Sequence, residues 1–432
     1  MSIVFNNIAI IGLGYIGLPT AAMLASKAIH VRGVDINENI ITTINSGKVH
    51  IVEHGLEDIV HDAVKSEYLQ ASKFPESADA FIITVPTPFK ENYEPDLSFV
   101  TAAVDSIAPV LKKGDLIILE STSPVGTTEQ ISYQLAKLRD DLVFPHQSEK
   151  CDIHIAYCPE RVMPGRVIRE LIENDRIIGG MTAQCSMKAK ALYQLFVIGE
   201  CITTTCRLAE MTKLTENAFR DVNIAFANEL SMICDKLNIN VWELIKLANH
   251  HPRVNILQPG PGVGGHCIAV DPWFIVNAAN EEAKLIRAAR EVNDRKEHFV
   301  TTKIKNAAQD FSKPVIACLG ITYKADTDDI RESPTINILR QLALEADYDF
   351  LIVEPNVSQL PHVFSQNKKF KLVSIETALA SANIVVLMVN HKEFHELITK
   401  FSHPKTVLNF ASAKQFLKST SHKIKEEPLI PA

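Results

Sequence analysis

Short runs of almost wholly apolar residues recur along the chain, each followed by a stretch of mixed character. The runs at 7–11, 31–35, 80–85, 116–120, 153–157 and 176–178 read as strands. A strand covered on both faces loses the polar alternation of a half-exposed one, so continuous apolar runs point to buried parallel strands. The stretch 18–27 reads as the first helix. Strand–helix alternation of this kind predicts an α/β domain with helices on both faces of a parallel sheet. From 207 to 236 the pattern changes to a long helix without Gly or Pro, and 241–249 and 281–307 continue in helical register. Alternation then returns, with strands at 315–319, 350–353, 384–389 and 407–409 and a helix at 333–344. No repeat is visible, and the last dozen residues, polar and then Pro-containing, read as frayed.

Composition narrows the picture. At 432 residues the chain needs two or three domains. A net charge of −7 argues against nucleic acid as the main partner, while leaving room for a local basic pocket. No apolar run approaches the length of a membrane span, and the first residues lead straight into a strand without a leader pattern. The eight cysteines are scattered, with no C-x-x-C pair and no paired Cys/His spacing. Cys201 and Cys206 read as neighbouring strand positions. A reduced cytoplasm is expected, without disulfides or a metal.

Several segments carry candidate chemistry. GLGYIG follows the first strand and opens the first helix. Gly12 permits the tight turn, Gly14 lets a pyrophosphate approach the backbone, and Gly17 allows close helix packing. Asp35 ends the second strand, where a carboxylate accepts from adenosine ribose hydroxyls and repels a 2′-phosphate, so NAD is expected rather than NADP. The first domain is therefore read as a Rossmann domain, 1–205. It is followed by a central helical dimerisation segment, 206–308, and a Rossmann-like C-terminal domain, 309–432, that lacks the glycine fingerprint. Strand-end loops VPTP and STSPVGTT are placed to line a site.

GPGVGGHCIAVDPWF sets Cys267 in a glycine-rich loop four residues before Asp271. Backbone N–H groups and a helix start there would stabilise a thiolate, although a buried, inert cysteine in a tight turn fits the same residues. Lys213, Asn217 and Arg220 share one helix face, which by spacing alone suits a solvated stripe better than a site. His251 and Arg253 in ANHHPRVN, and Lys324 and Arg331 in GITYKADTDDIRESP, could meet phosphates or equally decorate polar loops. Tyr133 and Lys137 have the spacing of a nucleotide-sugar epimerase pair, but within a helix and without that class's fingerprint, so coincidence is the better reading.

In order, GLGYIG, VPTP, STSPVGT, YCPERVMPG, AEMTKLTENAFRDVNIAFANEL, GPGVGGHC and GITYKADTDDIRESP resemble the UDP-glucose/GDP-mannose dehydrogenase family over nearly the whole chain. The resemblance implies an NAD-dependent, four-electron oxidation of a sugar C6 alcohol to a carboxylate, through a thiohemiacetal and a thioester on Cys267. It implies Lys213 and Asn217 as oxyanion partners, Asp271 as the group that positions Lys213 or a water, and Glu160 with Thr122 as the pair that handles the hydrolytic water. Gly12, Gly14, Tyr15, Ile16, Gly17, Asp35, Thr87, Thr128 and Arg331 match cofactor positions. Arg161, Val162, Lys213, Asn217, Arg220, His251, Arg253, Gly264, Tyr323 and Lys324 match the UDP-sugar side, and the C-terminal domain would bind UDP. The family's UDP-glucose enzymes carry Cys-Phe-Pro-Lys-Asp where this chain has Cys267-Ile268-Ala269-Val270-Asp271. The missing lysine points to an N-acetylhexosamine. Wording elsewhere favours the branch acting on UDP-N-acetylmannosamine over UDP-N-acetylglucosamine. The expected setting is a bacterial cytoplasmic homodimer or higher oligomer. It would have no membrane or nucleic-acid partner, would place its site in a cleft between the α/β halves, and would feed a capsule or enterobacterial common antigen. A non-catalytic nucleotide-sugar binder is the rival from another class.

Overall fold

The computed structural model describes residues 4–90, 93–163, 165–265, 267–397 and 406–411. The chain divides into two compact units, Met1–Glu216 with Trp273–Asn280, and Asn217–Pro272 with Glu281–Ala432.

The first unit is built on an eight-stranded sheet. In chain order its elements begin with β1 (Asn7–Ile11), α1 (Gly17–Ala25), β2 (His30–Val34), α2 (Glu38–Asn45), α3 (Leu56–Lys65), β3 (Leu69–Ser72), β4 (Ala80–Ile83) and α4 (Ser98–Ile107). They continue with β5 (Leu116–Leu119), α5 (Thr127–Leu138), β6 (His154–Tyr157), α6 (Val167–Glu173), β7 (Arg176–Gly180), α7 (Ala183–Tyr193) and β8 (Cys201–Thr205). The spatial order is β3-β2-β1-β4-β5-β6-β7-β8. Alternate residues of β1 supply different cores. Ile8 and Ile10 pack with Leu18 and Leu24 on one face, while Ala9 and Ile11 pack with Phe81 and Phe144 on the other. This is why the strand is apolar from Ile8 onward: each fully buried Ile contributes about 1.5–3 kcal/mol. One pair departs from the expected parallel pattern. β7 runs antiparallel to β6, with Ala156 opposite Gly180 and Tyr157 opposite Gly179.

The long helix α8 (Cys206–Lys236) starts at Cys206, so that residue is helical rather than a strand neighbour of Cys201. It is followed by α9 (Val241–Ala248), α10 (Asp271–Ala278) and α11 (Lys284–Ala308). Asn240 starts α9 by accepting from the Trp242 and Glu243 N–H groups. The second unit carries a five-stranded parallel sheet made of β9 (Val315–Leu319), β10 (Asp349–Val353), β11 (Phe370–Leu372), β12 (Ile384–Leu387) and β13 (Thr406–Asn409). Its order is β11-β10-β9-β12-β13, and helix α12 (Pro334–Glu345) follows β9. Among the described residues no helix is long and apolar enough to cross a membrane.

The two sheets share a device that the residue pattern does not announce. Gly12 (φ +96°) donates to the Val34 carbonyl at 2.8 Å, and Gly320 (φ +91°) donates to Val353 at 2.9 Å. The next N–H reaches the acid that ends the second strand: Leu13 to Asp35 Oδ2 at 3.0 Å, Ile321 to Glu354 Oε2 at 2.8 Å. The other carboxylate oxygen accepts from an asparagine N–H two residues on, Asn37 at 2.9 Å and Asn356 at 3.1 Å. The two sheets therefore share a turn without a repeat in the sequence, made by one glycine N–H and by N–H groups that donate to a strand-end carboxylate.

Candidate active site

The carboxyl edge of the first sheet gathers the glycine turn and the loops after β4 and β5. A Cβ on Gly17 would stand 1.9 Å from the Gly12 carbonyl oxygen, so only glycine lets α1 start so close to β1. A Cβ on Gly14 would meet nothing within 4 Å among the described residues beyond its chain neighbours, which leaves a cradle over the helix start. Tyr15 is part-exposed at 36% beside it, and Ile16 precedes the helix. The Asp35 oxygens already accept one N–H each, and a carboxylate oxygen has capacity for a further donor such as a ribose hydroxyl. Arg32, the nearby cation that could favour a 2′-phosphate, is paired with Glu76 at 3.1 Å. An adenosine diphosphate and its unphosphorylated ribose fit these residues.

The Thr87 hydroxyl donates to the Thr122 carbonyl at 2.6 Å and the Ser121 hydroxyl to the Val85 carbonyl at 2.6 Å, so the two strand-end loops are tied together. Helix α5 begins after Gly126 without a side-chain cap of its own. Buried Glu210, from α8, accepts from the Gly126 and Thr128 N–H groups at 2.6 and 2.8 Å and from the Thr128 hydroxyl at 2.6 Å. Thr128 is thus fully buried against Glu210. Glu160 accepts from the Val162 N–H, and Val162 packs against the core. Arg161 is pinned by Glu216 at 2.8 Å and by the Asp175 carbonyl at 3.1 Å. Lys213 is buried, at 6% exposure.

In the second unit Cys267 is exposed, and its carbonyl accepts the Asp271 N–H at 2.9 Å, which puts the thiol-bearing residue at the entry to α10. Buried Asn217 donates through Nδ2 to Asp271 Oδ2. The glycines of this loop are required by a close neighbour. A Cβ on Gly264 would stand 2.3 Å from the Glu332 carbonyl oxygen, and Gly265 (φ +82°) lies against the Tyr323 ring. The Gly265 N–H donates to the Arg331 carbonyl at 3.2 Å. Burial pushes the Tyr323 phenol up; negative charge at Asp329 and Cys267 adds to this, while Arg331 and Arg220 oppose it. Cys267, Arg220 and Arg331 therefore each lie within electrostatic reach of Tyr323. Arg331 forks onto Asp329 at 2.6 Å, and Lys324 and Arg220 are exposed. His251 and Arg253 sit on a separate exposed turn, the Arg253 N–H donating to His251 Nδ1 at 3.3 Å.

Several supporting residues escape the sequence patterns. A buried polar chain holds the start of the cysteine loop. Arg290 pairs with Asp221 at 2.7 Å, Asn293 Nδ2 donates to Asp221 at 2.8 Å, Asn228 donates to Asn293 Oδ1 at 2.9 Å, and Gly260 N–H donates to Asn228 Oδ1 at 2.9 Å. The signal was present as Asp221 and Asn228, seven apart in a helix, on a face otherwise expected to be apolar. At the carboxyl edge of the second sheet, buried His391 lies 3.2 Å from Glu354 Oε2 and 3.1 Å from the Thr322 hydroxyl. Burial alone would raise the Glu354 carboxyl, but the His391 and backbone N–H bonds hold it below its ordinary value.

An open glycine cradle above a strand-end acid, on an α/β sheet of this order, defines a protein of the NAD-binding class. The chain belongs to the UDP-glucose/GDP-mannose dehydrogenase family: it matches the NAD binding domain over residues 6–197, the central domain over 207–295 and the UDP binding domain over 317–414. It is 62% identical over 395 residues to a UDP-N-acetyl-D-mannosamine dehydrogenase of Campylobacter jejuni, covering 91% of this chain and 97% of that one. It is 59% identical over 406 residues to an NDP-N-acetyl-D-galactosaminuronic acid dehydrogenase of Ralstonia nicotianae, covering 94% and 95%. The solved UDP-D-ManNAc dehydrogenase of Pyrococcus horikoshii superposes with a TM-score of 0.83 at 35% identity, covering 94% of this chain and 99% of that one.

Proposed function

We propose that the protein oxidises UDP-N-acetyl-D-mannosamine at C6 to the uronate, in two hydride steps through Cys267. The observation that carries this is an exposed thiol at a helix entry, in a glycine loop, four residues before a buried acid that an asparagine already holds. NAD, held by Gly12–Gly17 and Asp35, supplies the hydride acceptor. Lys213 takes the alcohol proton and, with Asn217, stabilises the oxyanion. Asp271 fixes Asn217. Cys267 attacks the aldehyde, retaining it as a thiohemiacetal and then a thioester. Glu160 and Thr122 direct the water that releases the carboxylate. Tyr15, Ile16, Thr87, Thr128 and Arg331 complete the cofactor seat, with Thr128 acting through Glu210. Arg161, Val162, Arg220, His251, Arg253, Gly264, Tyr323 and Lys324 hold the UDP-sugar. Residues 1–205, 206–308 and 309–432 act as cofactor, central and UDP domains.

Phe219, Phe226 and Ile233 are spaced by seven along α8 and are 68%, 51% and 46% exposed. Such a stripe supports self-association through this helix, as a homodimer or larger assembly. The proposed location is the cytoplasm. The 59% identical relative favours one second reading, a galacto-configured N-acetyl sugar.

The test is NADH formed per sugar consumed, over a panel of UDP-N-acetylhexosamines and UDP-glucose. About two NADH with the manno sugar and little with the others is expected from the thioester route. The same yield with the galacto or gluco sugar replaces the substrate and keeps the mechanism. Uronate formation by Cys267→Ser overturns the mechanism, and absence of NADH with every sugar leaves a binding protein.

A further inference from the structure

A second cluster of reactive side chains lies in the first unit, away from the glycine turn. His154 begins β6 opposite Leu116, the first residue of β5, so it stands at the amino edge of the parallel strands. The glycine turn and the VPTP and STSPVGTT loops occupy the carboxyl edge. Cys151 precedes His154 by three residues. Cys185 arrives from α7, because the reversed strand β7 delivers the chain back to the start of β6. Cys151 Sγ lies 3.8 Å from His154 Nδ1 and Cys185 Sγ lies 3.9 Å from the same nitrogen. All three atoms fall within 4.8 Å of one another.

We propose that Cys151, His154 and Cys185 form a binding site for a soft divalent transition metal ion, zinc above all, with water as the fourth ligand. Zn–S bonds of about 2.3 Å and Zn–N bonds of about 2.0 Å in a tetrahedron set S–N edges near ~3.6 Å and the S–S edge near ~3.8 Å. The two S–N edges here are already within about 0.3 Å of that. One ring nitrogen cannot hydrogen-bond well to two sulfurs at such lengths, whereas one metal ion satisfies all three donors.

Hydrogen bonds from two directions fix the position of Cys185 Sγ. The Thr182 hydroxyl donates to its Sγ at 3.1 Å and the Ile155 N–H at 3.4 Å. Cys185 sits in the first turn of the eleven-residue helix α7, so its backbone is fixed as well. Outer donors of this kind orient ligands and tune a metal site. His154 and Cys185 are buried and Cys151 is half-buried, which leaves an entry path. The His154 ring presents Nδ1 to both sulfurs, and Lys188, also from α7, is held by the Gly114 carbonyl. On binding, two thiols lose their protons to solvent and the two thiolate charges balance the 2+ ion. The ion would staple the segment before β6 to α7, a structural role outside the proposed reaction.

The experiment uses the full chain carrying Cys267→Ser, so that the exposed thiol cannot ligate. After chelator treatment it is titrated with Co²⁺ and then Zn²⁺. Expected are one metal per chain, the near-ultraviolet thiolate-to-cobalt band with the strong visible bands of a tetrahedral site, and a rise in Tm with Zn²⁺. Cys151→Ser, at the half-buried position, should weaken binding by more than about tenfold and bleach the charge-transfer band. The spectrum of the parent chain decides the matter if that variant fails to fold. Absence of stoichiometric metal in the parent, unchanged affinity in Cys151→Ser, or a Cys151–Cys185 disulfide forming in place of metal binding would each overturn the site.

Discussion

Two glycines three residues apart, Gly14 and Gly17, separate binding from stability. Gly17→Ala forces a Cβ into the Gly12 carbonyl and the Thr84 hydroxyl, at 1.9 and 2.5 Å. Neither is a flexible chain end that can swing far, so about 3 kcal/mol or more of stability should be lost, seen as a lowered Tm without cofactor. Gly14→Ala enters open space at ordinary φ, so its cofactor-free Tm should stay within about 2 °C of the parent. If a diphosphate lies over that turn, the same methyl should raise the NAD KM at least about tenfold. An unchanged NAD affinity in Gly14→Ala would move the diphosphate elsewhere. The fingerprint was legible because close packing leaves glycine no substitute. Glu354 and His391 were not, because a buried acid and imidazole have no periodic signature until the fold brings them together.

Helix α5 shows how an element can depend on a residue far away in the chain. Its first N–H groups have no local cap, and Glu210 satisfies them from more than eighty residues downstream. Glu210→Ala should strip three bonds from buried donors and cost about 2–4 kcal/mol, read from the denaturant midpoint. Glu210→Gln keeps one acceptor and should fall between. Equal loss in both variants would mean that the charge, rather than the number of acceptors, holds the helix start. The inner strands of both sheets were legible as apolar runs, since two-sided burial leaves its mark residue by residue, whereas the part-exposed edge strands β3 and β11 carry no such run and were missed. The reversal of β7 was not. A strand buried on both faces reads the same in either direction, and only the connection through α6 decides which way it runs.

For the molecule as a whole, buried carboxyls set the dependence of stability on pH. Burial raises the Glu297 carboxyl to about 7, with Asp294 and Glu332 adding repulsion and Asn337 and Arg290 opposing. Burial likewise raises Asp115, Asp221 and Asp294. From the ordinary glutamate value of 4.5 up to about 7, the folded chain retains a proton at Glu297 that the unfolded chain has released. Stability should therefore decline as pH rises through that window and level off above it, by about 1–3 kcal/mol for this group. Glu297→Gln should flatten the decline and leave the chain more stable than the parent at pH 8. Denaturant midpoints at pH 5, 6, 7 and 8 check it, and a parallel decline in the variant would assign the slope to other groups.

The matched turns of the two sheets bear on cofactor engineering. Changing the acid at the end of β2 is the usual way to retune a nicotinamide enzyme toward the phosphorylated cofactor. Here Asp35 also secures the Leu13 and Asn37 N–H groups, as Glu354 does for Ile321 and Asn356 in a half with no such cofactor fingerprint. The acid belongs to the scaffold before it belongs to the ligand. A redesign that removes it must supply another acceptor for those two N–H groups, or it will trade selectivity for a loosened glycine turn.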